Sequence, residues 1–175
     1  MKSANSRLLA LVDGLTDWGI EWLVYVPSSH SAPVIRTLID RGVNYVMANR
    51  EEEAVGIAGG LSLAGKRVAI VMQDNGFGNA LTALATFALS YHAGFPIFAN
   101  TRGGLGEYNS MIHSISDSAG DLLETLHVRV ERLGISDEAK TWRSSTKSVA
   151  QLSQIQKRPI VTLFESLHPD MEDGK

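Results

Sequence analysis

Short apolar runs alternate with stretches of helical periodicity along the whole chain. The apolar runs predict strands at residues 21–27, 43–48, 67–73, 95–101 and 158–166, with a weaker strand at 127–134. Apolar residues at helical spacing predict helices at 5–17, 31–41, 51–64, 79–92, 117–126 and 145–156. Because the strand runs are almost continuously apolar, we expect them to be buried on both faces, as in a parallel sheet. The pattern predicts a doubly wound α/β fold with a mostly parallel six-stranded sheet and helices on both faces.

The chain should form one domain over residues 1–167, followed by a disordered polar tail at 168–175. Ligands of an open parallel sheet bind at the carboxyl ends of its strands. In this chain those ends carry the segments VPSSHS, ANREEE, MQDNGFGN and NTRGGLGEYNSMIH, which are rich in glycines, amides and histidines. We therefore expect the functional site at this edge of the sheet.

Composition and charge exclude several classes of function. A formal net charge of −3 argues against nucleic-acid binding through a basic surface. The chain has no cysteine, which excludes disulfides, thiolate metal sites and a cysteine nucleophile. No apolar stretch is long enough to span a membrane, and the N-terminal sequence does not fit a signal peptide. We expect a cytoplasmic protein that binds neither nucleic acid nor membrane.

Three consecutive glutamates, Glu51, Glu52 and Glu53, open the predicted helix 51–64. Acidic residues at this position can simply favour the positive end of the helix dipole. At about 100° per residue, however, Glu51 lies closest to the apolar face and Glu52 almost opposite it. That face is formed by Ala54, Ile57, Ala58 and Leu61. Glu51 is therefore the carboxylate that we expect to turn inward.

The segment QDNGFGNAL, residues 73–81, predicts a strand end, a glycine turn and the start of a helix. Backbone amides at such a turn can receive an anion. A dinucleotide-binding motif is excluded because Leu81 stands where a third glycine is needed, and a phosphate-binding loop because the Gly-Lys-Ser/Thr ending is missing. By itself, the segment is more typical of a tight turn without a ligand.

Taken together, REEEAVGIAGG and MQDNGFGNAL resemble the pyrimidine-binding domain of thiamine diphosphate-dependent decarboxylases. More narrowly, they resemble the alpha subunit of sulfopyruvate decarboxylase and the related phosphonopyruvate decarboxylases. The resemblance extends over residues 5–165 and includes the VP after the first strand and the loop TRGGLGE. The family pattern in the second motif is Gln-Asn-Ser-Gly-Leu-Gly-Asn, from which Asp74, Asn75 and Phe77 depart. These departures bear on the substrate rather than on the cofactor.

The resemblance implies a catalytic role for Glu51, which stands nine residues before Gly60, as the family's glutamate stands before a glycine. It implies that Glu51 hydrogen-bonds a ring nitrogen of the cofactor's aminopyrimidine and thereby promotes proton loss from the thiazolium carbon. Glu52 and Glu53 are expected to be surface residues that favour the helix dipole. The cofactor-binding residues implied besides Glu51 are Pro27, Ser28, Gln73, Asn75 and Gly76.

The sequence lacks the family's motif for the diphosphate half of the cofactor. Family members bind the diphosphate through magnesium with Gly-Asp-Gly and a later asparagine, whereas here Gly120-Asp121 precedes a leucine and no asparagine follows Asn109. The resemblance therefore implies a separate beta subunit that carries the diphosphate-binding domain and holds the magnesium, with no metal site in this chain. We expect a hetero-oligomer such as α2β2 or larger.

Three side chains are candidates for binding a substrate. Arg102, in the loop after the fourth strand, could bind a sulfonate, phosphonate or carboxylate through its planar guanidinium, or could be an ordinary surface arginine. His113 lies in the same loop and His30 follows the first strand, where either could also be a histidine without a role. The remaining histidines are expected to be structural or to lie in the tail: His92, His127 and His168.

The resemblance implies the alpha subunit of a carboxy-lyase that is active only with its beta subunit. The implied reaction converts 3-sulfopyruvate to sulfoacetaldehyde and carbon dioxide, a step of coenzyme M biosynthesis. Phosphonopyruvate is the alternative substrate, because it also carries a tetrahedral anion near the keto carbon. A non-catalytic α/β binding or regulatory module is the alternative from another class, against which the inward glutamate at position 51 argues.

Overall fold

The computed structural model describes residues 2–103 and 107–165. Its helices are α1 (Lys2–Trp18), α2 (Ala32–Asp40), α3 (Glu51–Leu63), α4 (Phe77–Ala83), α5 (His113–Thr125) and α6 (Ala139–Gln156). Its strands are β1 (Trp22–Tyr25), β2 (Asn44–Met47), β3 (Val68–Gln73), β4 (Pro96–Asn100), β5 (Arg129–Leu133) and β6 (Ile160–Phe164). A 3-10 turn (Asp74–Gly76) precedes α4, and a π-helical segment (Leu84–Leu89) continues it. The predicted tail 168–175, with His168, lies outside the described residues.

The six strands form one sheet in the order β2-β1-β3-β4-β6-β5, and every neighbouring pair is parallel. The predicted doubly wound α/β fold is thereby confirmed. The chain leaves β1 towards β2 on one side and later adds β3 on the other side, so the strand order reverses between β1 and β3. A reversal of this kind opens a crevice at the carboxyl ends of the two strands.

Two apolar cores, one on each face of the sheet, hold the helices in place. On one face, buried side chains of α3, α4 and α5 pack against alternate residues of the central strands. On the other face, α1, α2 and α6 pack against the intervening residues. In β3, for example, Ile70 and Met72 belong to the first core, and Ala69 and Val71 belong to the second. This division follows from the alternation of side chains along a strand.

The edge strand β2 departs from the prediction that the strands are buried on both faces. Tyr45 and Met47 are 52% and 54% exposed. β2 is one of the two edge strands, with β5 as the other, and has a neighbour, β1, on one side only. The prediction was therefore wrong for β2 and also for β5, where Arg129 and Arg132 are exposed, because periodicity alone does not distinguish an edge strand from a central one.

Helix boundaries differ from the prediction mainly at the start of α6. That helix begins at Ala139 rather than at residue 145. Trp142 in its first turns is fully buried, and its indole N–H donates a hydrogen bond of 3.1 Å to the carbonyl of Gly134. The polar residues that follow Trp142 obscure this first turn in the sequence.

His92 and His127 adopt left-handed backbone conformations, with φ of 56° and 59°. Such a residue ends a helix, as it does after the π-helical segment and after α5. The structural role predicted for these two histidines is consistent with this geometry. Among the helices of the described ranges, none combines the length and apolar character needed to cross a lipid bilayer.

Candidate functional site

Glu51 is the first residue of α3, and its side chain lies directly over the glycine turn. A methyl group added to Gly76 would collide with the Cγ and Cδ atoms of Glu51. The Nδ2 atom of Asn79, in α4, donates a hydrogen bond of 3.0 Å to Glu51 Oε2. The carboxylate is half-buried. Glu51 therefore turns towards the crevice, as the helical wheel predicts, and its partner Asn79 belongs to the glycine motif.

The other two glutamates of α3 have different surroundings. The exposed Glu53 accepts a hydrogen bond of 2.8 Å from the backbone N–H of Asn49, just before the helix. Glu52 forms an ion pair of 3.0 Å with Arg50. Its second oxygen, Oε2, is buried and has no hydrogen-bond partner among the described residues. Glu52 is thus less exposed than predicted, because the helix face that is buried also differs from the prediction.

The buried face of α3 is formed by Ala54, Val55, Ala58 and Gly59. Ile57 and Leu61, which the helical wheel placed on that face, are only half-buried against the same core. A Cβ atom at Gly59 would collide with the ring of Phe87. The missing side chain at Gly59 therefore allows the aromatic ring to lie against the helix backbone. Gly59 thereby becomes part of the buried face, which differs from the face predicted by the helical wheel.

Side chains from the ends of β1, β3 and β4 form a polar network at the sheet edge. Gln73 donates a hydrogen bond of 2.7 Å from Nε2 to Ser28 Oγ. Ser31, at the start of α2, donates through its hydroxyl to Oδ1 of the fully buried Asn100 at 2.5 Å. The hydroxyl of Ser28 lies 3.5 Å from the same oxygen. The network joins Ser28 and Gln73, two predicted cofactor ligands, to Asn100 and Ser31, which were not predicted.

Asp74 is almost fully buried, with an exposed fraction of 1%. Its carboxylate accepts hydrogen bonds from the backbone N–H groups of Asn75 (2.7 Å) and Arg102 (2.9 Å) and from the hydroxyl of Ser116 (2.9 Å). Burial raises the pKa of the Asp74 carboxyl, and the three hydrogen bonds oppose that rise. Sequence reasoning noted Asp74 only as a departure from the family pattern and missed its contacts.

Arg102 is part of a compact ion-pair cluster rather than a freely exposed arginine. Its Nε donates to Glu107 Oε2 at 2.7 Å, and both side chains are largely buried, with exposed fractions of 14% and 11%. The hydrogen bond from Arg102, together with one from the backbone of Asn109, lowers the pKa of Glu107 to about 2. The Nε2 atom of His113 lies 3.1 Å from the carbonyl oxygen of Glu107. The structure thus places Arg102 and His113, two of the three predicted substrate ligands, against the same residue, Glu107.

The remaining predicted ligands differ in accessibility. His30 is buried, with 6% of its surface exposed, just before α2. Pro27 is exposed at the mouth of the crevice, and Asn75 is half-buried in the 3-10 turn. Part of the loop TRGGLGE, residues 104–106, lies outside the described residues.

Comparison with known proteins decides the family. The family model described as "Thiamine pyrophosphate enzyme, N-terminal TPP binding domain" matches residues 9–99, about half of the chain. The chain belongs to the thiamine pyrophosphate enzyme family. It is 33% identical over 120 residues to the sulfopyruvate decarboxylase subunit alpha of Methanothermobacter thermautotrophicus, covering 68% of this chain and 73% of that protein. The predicted resemblance to this group is thereby confirmed.

Two further similarities are more partial. The chain is 30% identical over 116 residues to the phosphonopyruvate decarboxylase of Streptomyces viridochromogenes, covering 65% of this chain and 29% of that protein. In three dimensions it resembles the 2-oxoglutarate:ferredoxin oxidoreductase of Magnetococcus marinus, with a TM-score of 0.71 and 18% identity. That match covers 93% of this chain and 28% of the other, and at this identity it shows the fold alone.

The residues at the crevice fit the aminopyrimidine half of a thiamine pyrophosphate cofactor. An aminopyrimidine offers ring nitrogens and an amino group, which need carboxylate, amide and hydroxyl partners. The edge of this thiamine pyrophosphate enzyme domain supplies such groups on Glu51, Gln73 and Ser28. The bare α-carbon of Gly76 leaves room for the Glu51 side chain, which any larger residue would displace. Among the described residues, no group of three or more histidine, aspartate and glutamate side chains could hold a metal ion.

Proposed function

We propose that this chain is the pyrimidine-binding alpha subunit of a thiamine diphosphate-dependent 2-oxo acid decarboxylase. The placement of Glu51 is the observation that carries the proposal. Its carboxylate lies at the start of α3, over Gly76 and within hydrogen-bond distance of Asn79. When bound, thiamine diphosphate supplies the electron sink that allows a 2-oxo acid to lose carbon dioxide.

In this proposal, Glu51 binds a ring nitrogen of the aminopyrimidine and holds a proton there. Asn79 fixes the orientation of the carboxylate through its hydrogen bond to Oε2, so that the other oxygen is available to the cofactor. Gln73, Ser28 and the turn residues Asn75 and Gly76 line the same crevice. Each of these residues binds the cofactor or orients a group that does. Glu51 is the only one among them that we propose to hold a proton.

The substrate that we propose is 3-sulfopyruvate, on the basis of the similarity to sulfopyruvate decarboxylase alpha subunits. Arg102 is the proposed ligand of the distal sulfonate, with His113 or His30 beside it. Because the Nε of Arg102 donates a hydrogen bond to Glu107, the two terminal nitrogens of the guanidinium would have to bind the sulfonate. The similarity to a phosphonopyruvate decarboxylase keeps phosphonopyruvate as the alternative substrate.

We further propose that a beta subunit supplies the diphosphate-binding domain and the magnesium site. The words "subunit alpha" in the name of the relative support a complex with another subunit. The exposed glycines of α3 offer a flat surface for it, because Cβ atoms at Gly56 and Gly60 would meet nothing within 4 Å. The complex would be an α2β2 or larger hetero-oligomer in the cytoplasm.

Reconstitution tests the proposed function directly. The chain is mixed with a beta subunit that carries the diphosphate-binding domain, thiamine diphosphate and magnesium. Release of carbon dioxide is then measured with sulfopyruvate, phosphonopyruvate or pyruvate as the substrate. We expect turnover of sulfopyruvate only when both subunits are present. Turnover of phosphonopyruvate alone would support the alternative substrate. A complex that binds the cofactor but decarboxylates none of the three acids would favour a non-catalytic module.

A further inference from the structure

The Asp74 carboxylate accepts three hydrogen bonds. Asparagine, the uncharged side chain of the same shape, could not accept all three. Its Oδ1 atom accepts from Asn75 N–H and from the Ser116 hydroxyl, and its Oδ2 atom accepts from Arg102 N–H. An asparagine has one acceptor oxygen and an NH2 group that can only donate. In either orientation of that amide, its NH2 group would face at least one of these donors.

The three donors come from three separate parts of the chain. Asn75 belongs to the 3-10 turn, Ser116 to α5, and Arg102 to the loop that follows β4. Asp74 is thus a buried junction between the turn and the segments that carry Arg102 and His113.

Asp74 also connects, through its own short turn, to the position of Glu51. The 3-10 turn begins at Asp74 and ends at Gly76, on whose α-carbon the Glu51 side chain lies. On its other side, Asp74 holds the backbone of Arg102, whose side chain pairs with Glu107. A continuous set of contacts therefore runs from the carboxylate of Glu51 to the guanidinium of Arg102.

We propose that Asp74 is a positioning residue, which fixes the Arg102 loop and the start of α5 relative to Glu51. Asp74 contacts neither cofactor nor substrate, and acts by accepting hydrogen bonds from the backbone amide of Arg102 and the hydroxyl of Ser116. The kinetic part of the proposal rests on the proposed function, whereas the connection between the three segments does not.

Hydrogen–deuterium exchange of the full chain tests the connection without any assay of activity. In Asp74→Asn, we expect the amide of Arg102 and the first turn of α5 to exchange about tenfold faster or more, because the amide side chain cannot accept all three hydrogen bonds that the carboxylate accepts. Exchange in α6 should not change. Asp121→Asn, an exposed carboxylate elsewhere in α5, is the matched control and should leave the whole pattern unchanged.

A second variant keeps the test decisive if Asp74→Asn fails to fold. Ser116→Ala removes one donor and leaves the carboxylate intact, so faster exchange should be confined to the start of α5 and the Arg102 loop. Unchanged exchange at Arg102 in a folded Asp74→Asn, or at the start of α5 in Ser116→Ala, would overturn the connection.

Kinetics of the reconstituted enzyme test the positioning role. We expect Asp74→Asn to raise the KM for the anionic 2-oxo acid by about tenfold or more, while the affinity for thiamine diphosphate stays within about twofold of wild type. Faster exchange at Arg102 with an unchanged KM would overturn the positioning role. If the wild-type enzyme had no decarboxylase activity, the proposed function would fall, and the exchange measurements would still decide whether Asp74 joins the segments.

Discussion

At the scale of single residues, two acidic side chains near the carboxyl ends of the strands have opposite surroundings. Asp74 is buried, and desolvation raises the pKa of its carboxyl despite three hydrogen bonds. Glu107 is paired with Arg102, and this partner holds the pKa of its carboxyl at about 2. The first environment disfavours charge and the second favours it. The same edge therefore contains one carboxylate that organises backbone and another that orients an arginine.

The contact between Gly76 and Glu51 makes a precise steric prediction. Gly76 has φ of −67° and ψ of −14°, which any residue can adopt, so Gly76→Ala acts by displacing the Glu51 side chain alone. We expect a fall in turnover of about tenfold or more, because a small misplacement of a catalytic group is costly. In the control Gly78→Ala, the new methyl would make only an ordinary contact with Ile115, at 3.7 Å, and turnover should be retained. Equal turnover in both variants would contradict the proposed position of Glu51.

Replacing Arg102 by lysine tests the proposed substrate contact. Lysine keeps the charge but loses the planar fork that binds an oxyanion through two nitrogens. We expect Arg102→Lys in the reconstituted enzyme to raise the KM for sulfopyruvate by about tenfold and to spare cofactor affinity. An unchanged KM, with sulfopyruvate and pyruvate used equally well, would refute the substrate assignment and leave the role of Glu51 untouched.

The sequence indicates the position of Glu51 and several neighbouring side chains, such as Ser28 and Gln73, but not the contacts of Asp74. The inward position of Glu51 follows from helical geometry, and the family resemblance, in which a glutamate stands nine residues before a glycine, selects the same residue; both depend on one segment of the chain. The contacts of Asp74 join positions 74, 102 and 116, which only the folded sheet brings together. A carboxylate directly after an almost wholly apolar strand is the one local sign that Asp74 would be buried.

At the scale of elements, the close approach of α3 to the helix after β3 depends on Gly59. The ring of Phe87 occupies the space that a side chain at Gly59 would need. The π-helical segment Leu84–Leu89 includes Phe87 and lies opposite the middle of α3. Among the glycines of α3, Gly59 therefore allows close helix packing, whereas Gly56 and Gly60 leave an open surface.

Two substitutions in α3 separate these roles. Gly59→Ala should destabilise the folded chain by about 1–3 kcal/mol, because the added methyl overpacks the core against Phe87. Gly56→Ala meets open space and should instead stabilise the chain by up to about 1 kcal/mol through helix propensity. Chemical denaturation of both variants measures the difference. Equal stabilities would contradict the described packing.

The sequence predicted all six strands and six helices, and the errors lie where packing decides. Short apolar runs identify strands well, yet the exposure of Tyr45 and Met47 depends on β2 being at the sheet edge. The start of α6 depends on the burial of Trp142 beneath polar neighbours. Both features follow from the arrangement of elements rather than from local periodicity.

At the scale of the whole molecule, the parallel topology brings the ends of β1, β3 and β4 to one edge. Gln73 at the end of β3 is directly opposite Asn100 at the end of β4. The chain continues from β1 to α2 on one face of the sheet and from β3 to α4 on the other. The crevice between them therefore lies at the carboxyl ends of these strands, where we propose that a beta subunit completes the cofactor site.

Cofactor titration tests whether this chain supplies only part of the site. Calorimetry of the chain alone with thiamine diphosphate and magnesium should detect no binding tighter than about 1 mM, because the diphosphate is the more strongly charged half of the ligand. Addition of the beta subunit should lower the Kd into the micromolar range. Micromolar binding by the chain alone would refute the two-subunit proposal.

Turnover of the reconstituted enzyme carrying Glu51→Gln tests the central claim most directly. The amide keeps the size of the side chain but cannot hold the proton at the cofactor, so kcat should fall by about 10²- to 10⁴-fold while the complex still assembles. The matched variant Glu52→Gln, one residue along the same helix, should retain kcat within about twofold. A Glu51→Gln enzyme with near-normal turnover would contradict the assignment of Glu51 as the catalytic carboxylate.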